Sequence, residues 1–402
     1  MDRNDFKTKP YRLNNEIQTY AWGQCGEKAF IPKLLGLKPE PGTAYAELWI
    51  GAHPKAPSKV DDTSLPEFIR RYPKEILGSD KARKFDNQLP FLLKVLSAGE
   101  ALSIQAHPNK SQAEELHRLD PEHYPDDNHK PEIAIALTKL TALVGFKKIK
   151  AIKQILNDYP PIHAFISADA HTTISATRND REWIRLLYSE IMNKAEEKET
   201  ELEKVLQDMD LFLKNKEDLS EQDLLYLQLR QKYGNDVGLF SIYLLNLVHL
   251  KKGEAVFLKA GIPHAYLKGN IIECMANSDN VVRAGLTPKF KDIGTLVDIL
   301  TYETGLPNII QPDAGSHDIF YHVPTPEFAL RQRILSTGQK RDVKNIEMEI
   351  LLITDGQITL SGTDFDMTLK KGETVLIPAA LSEYTITTDI AATIFAAFIP
   401  EK

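Results

Sequence analysis

The chain has 402 residues, 42% of them hydrophobic, which is too much for one small core, so two or three domains are expected. Its formal charge of -7, from 49 Lys+Arg against 56 Asp+Glu spread along the chain, gives no basic field for nucleic acid or an anionic membrane. A phosphorylated small molecule must therefore be caught by a few local cations.

Two cysteines, Cys25 and Cys274, lie far apart and outside any CxxC, which argues against a disulfide framework and a thiolate zinc knuckle and fits a reducing, cytoplasmic location. The first residues lack an apolar signal-like run, and no uncharged apolar stretch of about 18 residues occurs, so a soluble, unprocessed protein is expected. From about Tyr11 to Phe146, β-branched or aromatic runs alternate with turn residues. The segments from Glu47 to Ile50, from Phe91 to Leu96 and from Leu102 to His107 read as strands of an antiparallel sheet. Helices are expected around Leu65 to Leu77 and from Ser111 to Leu119, the second capped by Ser111.

Composition shifts at about Lys147. Until about Gly234, apolar residues recur three and four apart, as in Trp183, Leu186, Leu187 and Ile191, which is the pattern of a helical domain. Its Glu- and Lys-rich run from Asn193 to Lys204 reads as a solvated helix face. The segment from Val237 to Leu250 reads as one buried helix, and strand patterning resumes at Lys252 and continues to Pro400.

An internal repeat divides the second half of the chain. Lys251-Lys252-Gly253-Glu254, followed by Ala255 to Leu258, recurs as Lys370-Lys371-Gly372-Glu373, followed by Thr374 to Ile377. Both copies resemble the second motif of the cupin family, where Gly, Pro, Gly and a metal-binding His stand at fixed spacing. The first copy has Lys259 in place of the Pro but keeps Gly261 and His264. The second keeps Pro378 and has Ala380 and Glu383 where the Gly and His would stand. The resemblance implies two β-barrels of which only the first holds metal. Two unrelated hairpins would also account for the tetrapeptide.

Gln105 and His107 stand two apart on a predicted strand, so their side chains share a face. On spacing alone this pair carries little weight, because amides and imidazoles are ordinary strand residues. The stretch from Leu102 to Lys110 is, however, similar to the signature of the type I mannose-6-phosphate isomerases. Six further blocks resemble that family in the family's order: Asn15 to Gly23, Ala46 to Pro54, Leu89 to Leu96, His129 to Glu132, Gly261 to Tyr266 and Arg283 to Lys289. The helical segment and roughly the last hundred residues match only in length and pattern. Asn109 stands where the family usually has an acidic residue, and Leu93 where it often has Phe.

The resemblance implies a mainly β fold with two cupin (jelly-roll) β-barrels and an inserted α-helical domain. Residues 1–146 and 237–308 would form the catalytic zinc-binding cupin domain, 147–236 the helical domain and 309–402 a metal-free C-terminal cupin domain. One Zn2+ would be held by Gln105, His107, Glu132 and His264, a donor set of two nitrogens and two oxygens that suits zinc and leaves room for substrate. The implied reaction interconverts mannose 6-phosphate and fructose 6-phosphate through a cis-enediol, supplying mannose metabolism and GDP-mannose synthesis. Zinc would act as Lewis acid and Arg283 as a second fixed positive charge.

For proton transfer Lys130 is the first candidate, as an ammonium beside a cation in a closed pocket. Asp279 and Glu273 are rivals, and His53 and His129 are further candidates, His129 for ring opening. No Gly-rich phosphate loop occurs, so Ser103, Lys94 and Lys289 are the expected phosphate contacts. Trp22, Glu47 and Tyr266 are expected at the sugar, and Trp49 in the core. The expected partner is a small sugar phosphate, with no nucleic acid and no membrane, and the chain is expected to be a monomer or at most a weak homodimer. Two rivals are a cupin oxygenase, which would want iron and more histidines, and a silent sugar-binding relative lacking acid/base groups.

Overall fold

The computed structural model describes residues 6–313, 315–345 and 347–401. The strands Glu47–Gly51 and Phe91–Ala98 are buried along their whole length and pair antiparallel, with Trp49 opposite Lys94. Beside them runs the 13-residue strand His264–Ala276, which serves two sheets. Its C-terminal part lies between Phe91–Ala98 and Glu132–Ala136, placing Glu273 opposite Lys94 and Met275 opposite Glu132. Its N-terminal part pairs with Leu140–Phe146 and meets Ile104–Ala106, where His264 faces Gln105. Val282–Gly285 flanks Ile104–Ala106 on the other side, with Arg283 opposite Gln105.

The handover between the two sheets falls at Gly269, where φ is +137° and an added Cβ would sit 2.6 Å from the Lys139 carbonyl oxygen. Only a residue without a side chain fits that crossing. Because neighbouring residues on a strand point to opposite faces, this register puts Trp49, Lys94 and Glu273 in one row across three strands.

Six strands form a second sheet in the order Tyr11–Leu13, Thr374–Ile377, Glu349–Asp355, Ala392–Phe398, Ala329–Leu335 and Asp318–Tyr321. The N-terminal strand therefore belongs to the C-terminal part of the chain, tied there by Arg12 to Glu373 at 2.6 Å and Asn15 to Thr374 at 2.6 Å. A four-stranded sheet completes that region. The result is a mixed α/β fold of several sheets with a helical insertion, and strand pairing among the described residues closes no ring.

The insertion runs from the helix Ile149–Asp158 to Glu221–Tyr233 and packs Trp183, Leu187, Tyr188, Leu206, Met209 and Tyr226 into a core shared with Phe146 and Tyr243. The run from Asn193 to Lys204 is divided between the helices Asp180–Glu197 and Glu199–Lys214, with Lys194 bridging to Glu201 at 3.0 Å. No helix among the described residues is long and apolar enough to cross a membrane.

Four local expectations need correction. The segment from Val237 to Leu250 is a helix only over Gly238–Leu244 and then a strand, Leu245–Leu250, paired with Leu140–Phe146. Asn246 lies at that change, its buried amide donating to the carbonyls of Val144, Phe146 and Gly305 at 3.1, 3.1 and 2.8 Å. Asn109, not Ser111, caps the helix Lys110–Leu119, forming a capping box with Gln112. The expected helix from Leu65 to Leu77 is two short helices, Leu65–Arg71 and Pro73–Leu77, because Pro73 supplies no N–H to continue the first. The strand expected to reach His107 covers only Ile104–Ala106.

The repeated tetrapeptide is a repeated structure. In both turns the Glu carboxylate accepts the backbone N–H three residues earlier, Lys251 to Glu254 at 2.8 Å and Lys370 to Glu373 at 2.6 Å, and a strand follows. Glu383, at the position matching His264, is exposed and pairs in register with Lys344.

Candidate metal centre and cavity

Three strand ends deliver the central groups. Glu132 and His264 open their strands, and His107 follows Ala106. All three are buried, at 1%, 1% and 2% exposure. Gly261, with φ at +73°, donates its N–H to the His107 carbonyl at 2.9 Å, and a Cβ there would strike the Ile299 oxygen at 2.5 Å. This close approach explains the glycine three residues before His264.

One ligand atom from each of His107, Glu132 and His264 lies within 4.8 Å of the others. The Nε2 of His264 is 3.0 Å from Glu132 Oε1, and the Nε2 of His107 is 3.5 Å from Oε2. Each ring turns its Nδ1 to a backbone carbonyl, that of Asn280 at 2.8 Å for His107 and that of Ile262 at 2.9 Å for His264. A carbonyl only accepts, so the proton sits on Nδ1 and the lone pair on Nε2. Both Nε2 atoms are buried and lack a hydrogen-bond partner. Two lone pairs facing a carboxylate in a buried pocket repel unless a cation lies between them. Burial pushes the His107 imidazole down to about 4, so near neutral pH a proton on that ring does not supply the cation. Two imidazoles and a carboxylate are a donor set that zinc accepts, so the residues fit that metal. Gln105, opposite His264 in register, lines the adjoining cavity as the expected fourth donor.

That cavity measures about 710 Å³. Of the residues singled out from sequence, Trp22, Glu47, Lys94, Ser103, Gln105 and Lys130 line it, as do His53, Glu132, Tyr266, Glu273, Asp279, Arg283 and Lys289. His129 does not line it; its Nε2 meets Glu327 Oε1 at 2.9 Å instead. A neighbouring cavity of about 570 Å³ shares His53 and Asp279 but holds none of the metal-facing groups.

The charges along the wall are unevenly matched. Lys94 Nζ lies 3.1 Å from Glu273 and 3.5 Å from Glu47, with the Trp49 ring 5.2 Å away. Burial lowers this ammonium, but the two carboxylates outweigh it and hold Lys94 above its usual range. Burial raises the Glu273 carboxyl despite Lys94. Asp279 is paired with Lys55 at 2.9 Å and His53 at 3.5 Å, which together bring its carboxyl well below the ordinary range against the effect of burial. Among the described residues, no carboxylate stands within 4.0 Å of Lys130, Arg283 or Lys289. These basic groups face the cavity unpaired.

Several features carried no sequence signal. Tyr266, expected against the sugar, lines the cavity and also donates its hydroxyl to Glu132 Oε1 at 3.1 Å. Trp49, expected in the core, is buried yet donates its indole N–H to Glu47 at the cavity wall. The helical insertion contributes Tyr233, whose hydroxyl donates to the Ala101 carbonyl at 3.1 Å on the rim.

Known proteins are similar to this chain in sequence and fold. The family model for the catalytic domain of type I phosphomannose isomerase matches residues 11–149, and the model for the helical insertion domain of the same family matches 163–245. The mannose-6-phosphate isomerase of Schizosaccharomyces pombe is 41% identical over 378 residues, covering 89% of this chain and 91% of its own length. A solved mutant phosphomannose isomerase from Salmonella typhimurium superposes with a TM-score of 0.86 at 31% identity, covering 98% of this chain and 100% of that one. A solved mannose 6-phosphate isomerase in its zinc-bound holo form superposes with a TM-score of 0.85 at 31% identity, with 98% and 100% coverage.

Replacing Tyr266 by Phe removes the hydroxyl that orients Glu132. Zinc affinity, measured by competition with a chromophoric chelator, should fall by about tenfold or more; unchanged affinity would show that Glu132 needs no such support.

Proposed function

The chain belongs to the type I phosphomannose isomerases, and we propose from that premise how its cavity residues divide the reaction. It is a zinc-dependent isomerase that interconverts D-mannose 6-phosphate and D-fructose 6-phosphate. The observation that carries this reading is the pair of buried, partnerless imidazole nitrogens facing Glu132 beside a cavity lined with unpaired cations. Bound by His107, Glu132, His264 and Gln105, zinc supplies a Lewis acid that does not itself titrate and undergoes no redox change.

Turning an aldose into a ketose moves one proton from C2 to C1 and another between the two oxygens. Lys130, acting as the free amine, takes the carbon-bound proton and returns it. Its burial at 8% exposure and its lack of a carboxylate partner support that role. Glu273, raised by burial, is the better carboxyl for the oxygen-bound proton. Asp279 is the poorer base, since Lys55 and His53 already stabilise its charge. Arg283 stays cationic throughout and offsets the negative charge that develops on the substrate oxygens. Ring opening by His129 loses support, because its ring is engaged by Glu327 away from the cavity.

Lys289 and Ser103 receive the phosphate. Lys94 suits that task less, because Glu47 and Glu273 already surround its ammonium and would repel a dianion. Trp22, stacked on Tyr20 with ring centroids 5.8 Å apart, offers an apolar face to the sugar.

Two sheets sharing the bent strand His264–Ala276 support reading this part as a jelly roll. The six- and four-stranded sheets support a second one over most of 309–402, joined by Tyr11–Leu13, while Ile309–Ile310 pairs with the catalytic part; 147–236 is the helical domain and the rest of 1–146 plus 237–308 the catalytic one. The unpaired Cys25 and Cys274 support a reducing, cytoplasmic location.

Fructose 6-phosphate should form from mannose 6-phosphate in a coupled assay, stop forming after chelation and resume when zinc is restored; activity that ignores the chelator would refute the metal requirement. Lys130→Ala should lower kcat by about 10²–10⁴-fold with zinc content unchanged, and near-normal kcat would remove Lys130 from proton transfer. Lys289→Glu should raise KM for the phosphorylated sugar by about tenfold or more. An unchanged KM would place the phosphate elsewhere.

A further inference from the structure

The His107 ring is anchored differently from its partner. His264 uses the carbonyl of Ile262, two residues back on its own segment, whereas His107 depends on the carbonyl of Asn280, far away in the chain. The position of that carbonyl is set by the Asn280 side chain. Its amide is fully buried and donates to the Asp126 carbonyl at 2.7 Å, Asp126 Oδ1 at 3.2 Å and the Asn128 carbonyl at 3.0 Å. The contacts are reciprocated. Asp126 Oδ2 accepts the Asp279 N–H at 2.7 Å, Ser278 Oγ donates to the Asn128 carbonyl at 3.0 Å, and Asn128 Nδ2 donates to the Asn277 carbonyl at 2.9 Å.

Asn128 is followed within a few residues by Lys130 and the ligand Glu132, so the same contacts fix the approach to both. One group pays for this arrangement, as Asn280 Oδ1 is buried without a partner. An unpaired buried acceptor is costly, and here it accompanies an amide turned to present its donors to the loop.

We propose that Asn280, clasped by Asp126 and Asn128, is a positioning residue for the metal centre: it holds the carbonyl that fixes the His107 ring with Nε2 facing Glu132 and His264. The inference rests on the zinc reading given above. Metal ligands whose second nitrogen is anchored in this way bind with the correct tautomer and little reorganisation.

The test uses the full-length chain, with zinc as the probe and Co2+ as the spectroscopic substitute. Asn280→Ala should raise the zinc dissociation constant by about 10–100-fold and alter the visible spectrum of the Co2+ form, while KM at saturating zinc changes little. Asn345→Ala is the control. It removes a buried amide that holds the Pro378 and Leu381 carbonyls at 3.3 and 2.9 Å, far from the site in sequence, and should lower Tm without changing zinc affinity. Should Asn280→Ala fail to fold, Ser278→Ala removes the hydroxyl that donates to the Asn128 carbonyl and accepts the Asn280 N–H at 3.1 Å, and should weaken zinc binding by a smaller factor. Zinc affinity and Co2+ spectra like those of the parent chain in whichever clasp variant folds would overturn the proposal. Failure of the parent chain itself to bind zinc would overturn the metal reading instead.

Discussion

Two imidazole lone pairs and one carboxylate converge in a buried pocket, and that convergence needs a cation to be tolerable. Much of the surrounding architecture makes it possible. The strand His264–Ala276 must bend at Gly269 to serve both sheets, because one end carries His264 and the other lies beside Glu132. Gly261 must lack a side chain so that its N–H can hold the His107 backbone. The tautomer of each ring follows from a carbonyl placed at its other nitrogen. A pocket built to this tolerance has little freedom to collapse around a different chemistry.

The cavity beside it combines matched and unmatched charge. Lys94 is balanced between Glu47 and Glu273 and stiffens the wall, in the way buried ion networks with satisfied hydrogen bonds do. Arg283 and Lys289 are left without carboxylates, so an anionic substrate is the group that completes their electrostatics. The overall charge of -7 is consistent with this division, since capture depends on a few placed cations and not on a basic surface.

How much of this could be read in advance depended on the range of the interaction. The spacing of Gln105 and His107 is local and visible, but their meeting with Glu132 and His264 is a tertiary event that only resemblance to a family could anticipate. The repeated turn at Lys251 and Lys370 was legible because a glycine and a back-bonding glutamate act within four residues. Pro73 and Asn109 corrected helix bounds locally, whereas the readings of the run from Val237 to Leu250 and of His129 failed where distant groups decide. Asn246 stands where an apolar, helix-like run becomes a strand, gathering carbonyls from Val144 and Gly305. Glu327, from the C-terminal region, engages the His129 ring, which does not line the cavity. No periodicity or motif encodes such choices, because each is a competition between hydrogen-bond partners settled only after packing.

X-ray absorption at the zinc edge of the reconstituted chain tests the central geometry most directly. Light-atom ligands at about 2.0–2.1 Å with outer-shell scattering from imidazole, weakened in His107→Ala and in His264→Ala, are the predicted result. Sulfur scattering near ~2.3 Å, or a spectrum untouched by those substitutions, would place the metal elsewhere and contradict the account.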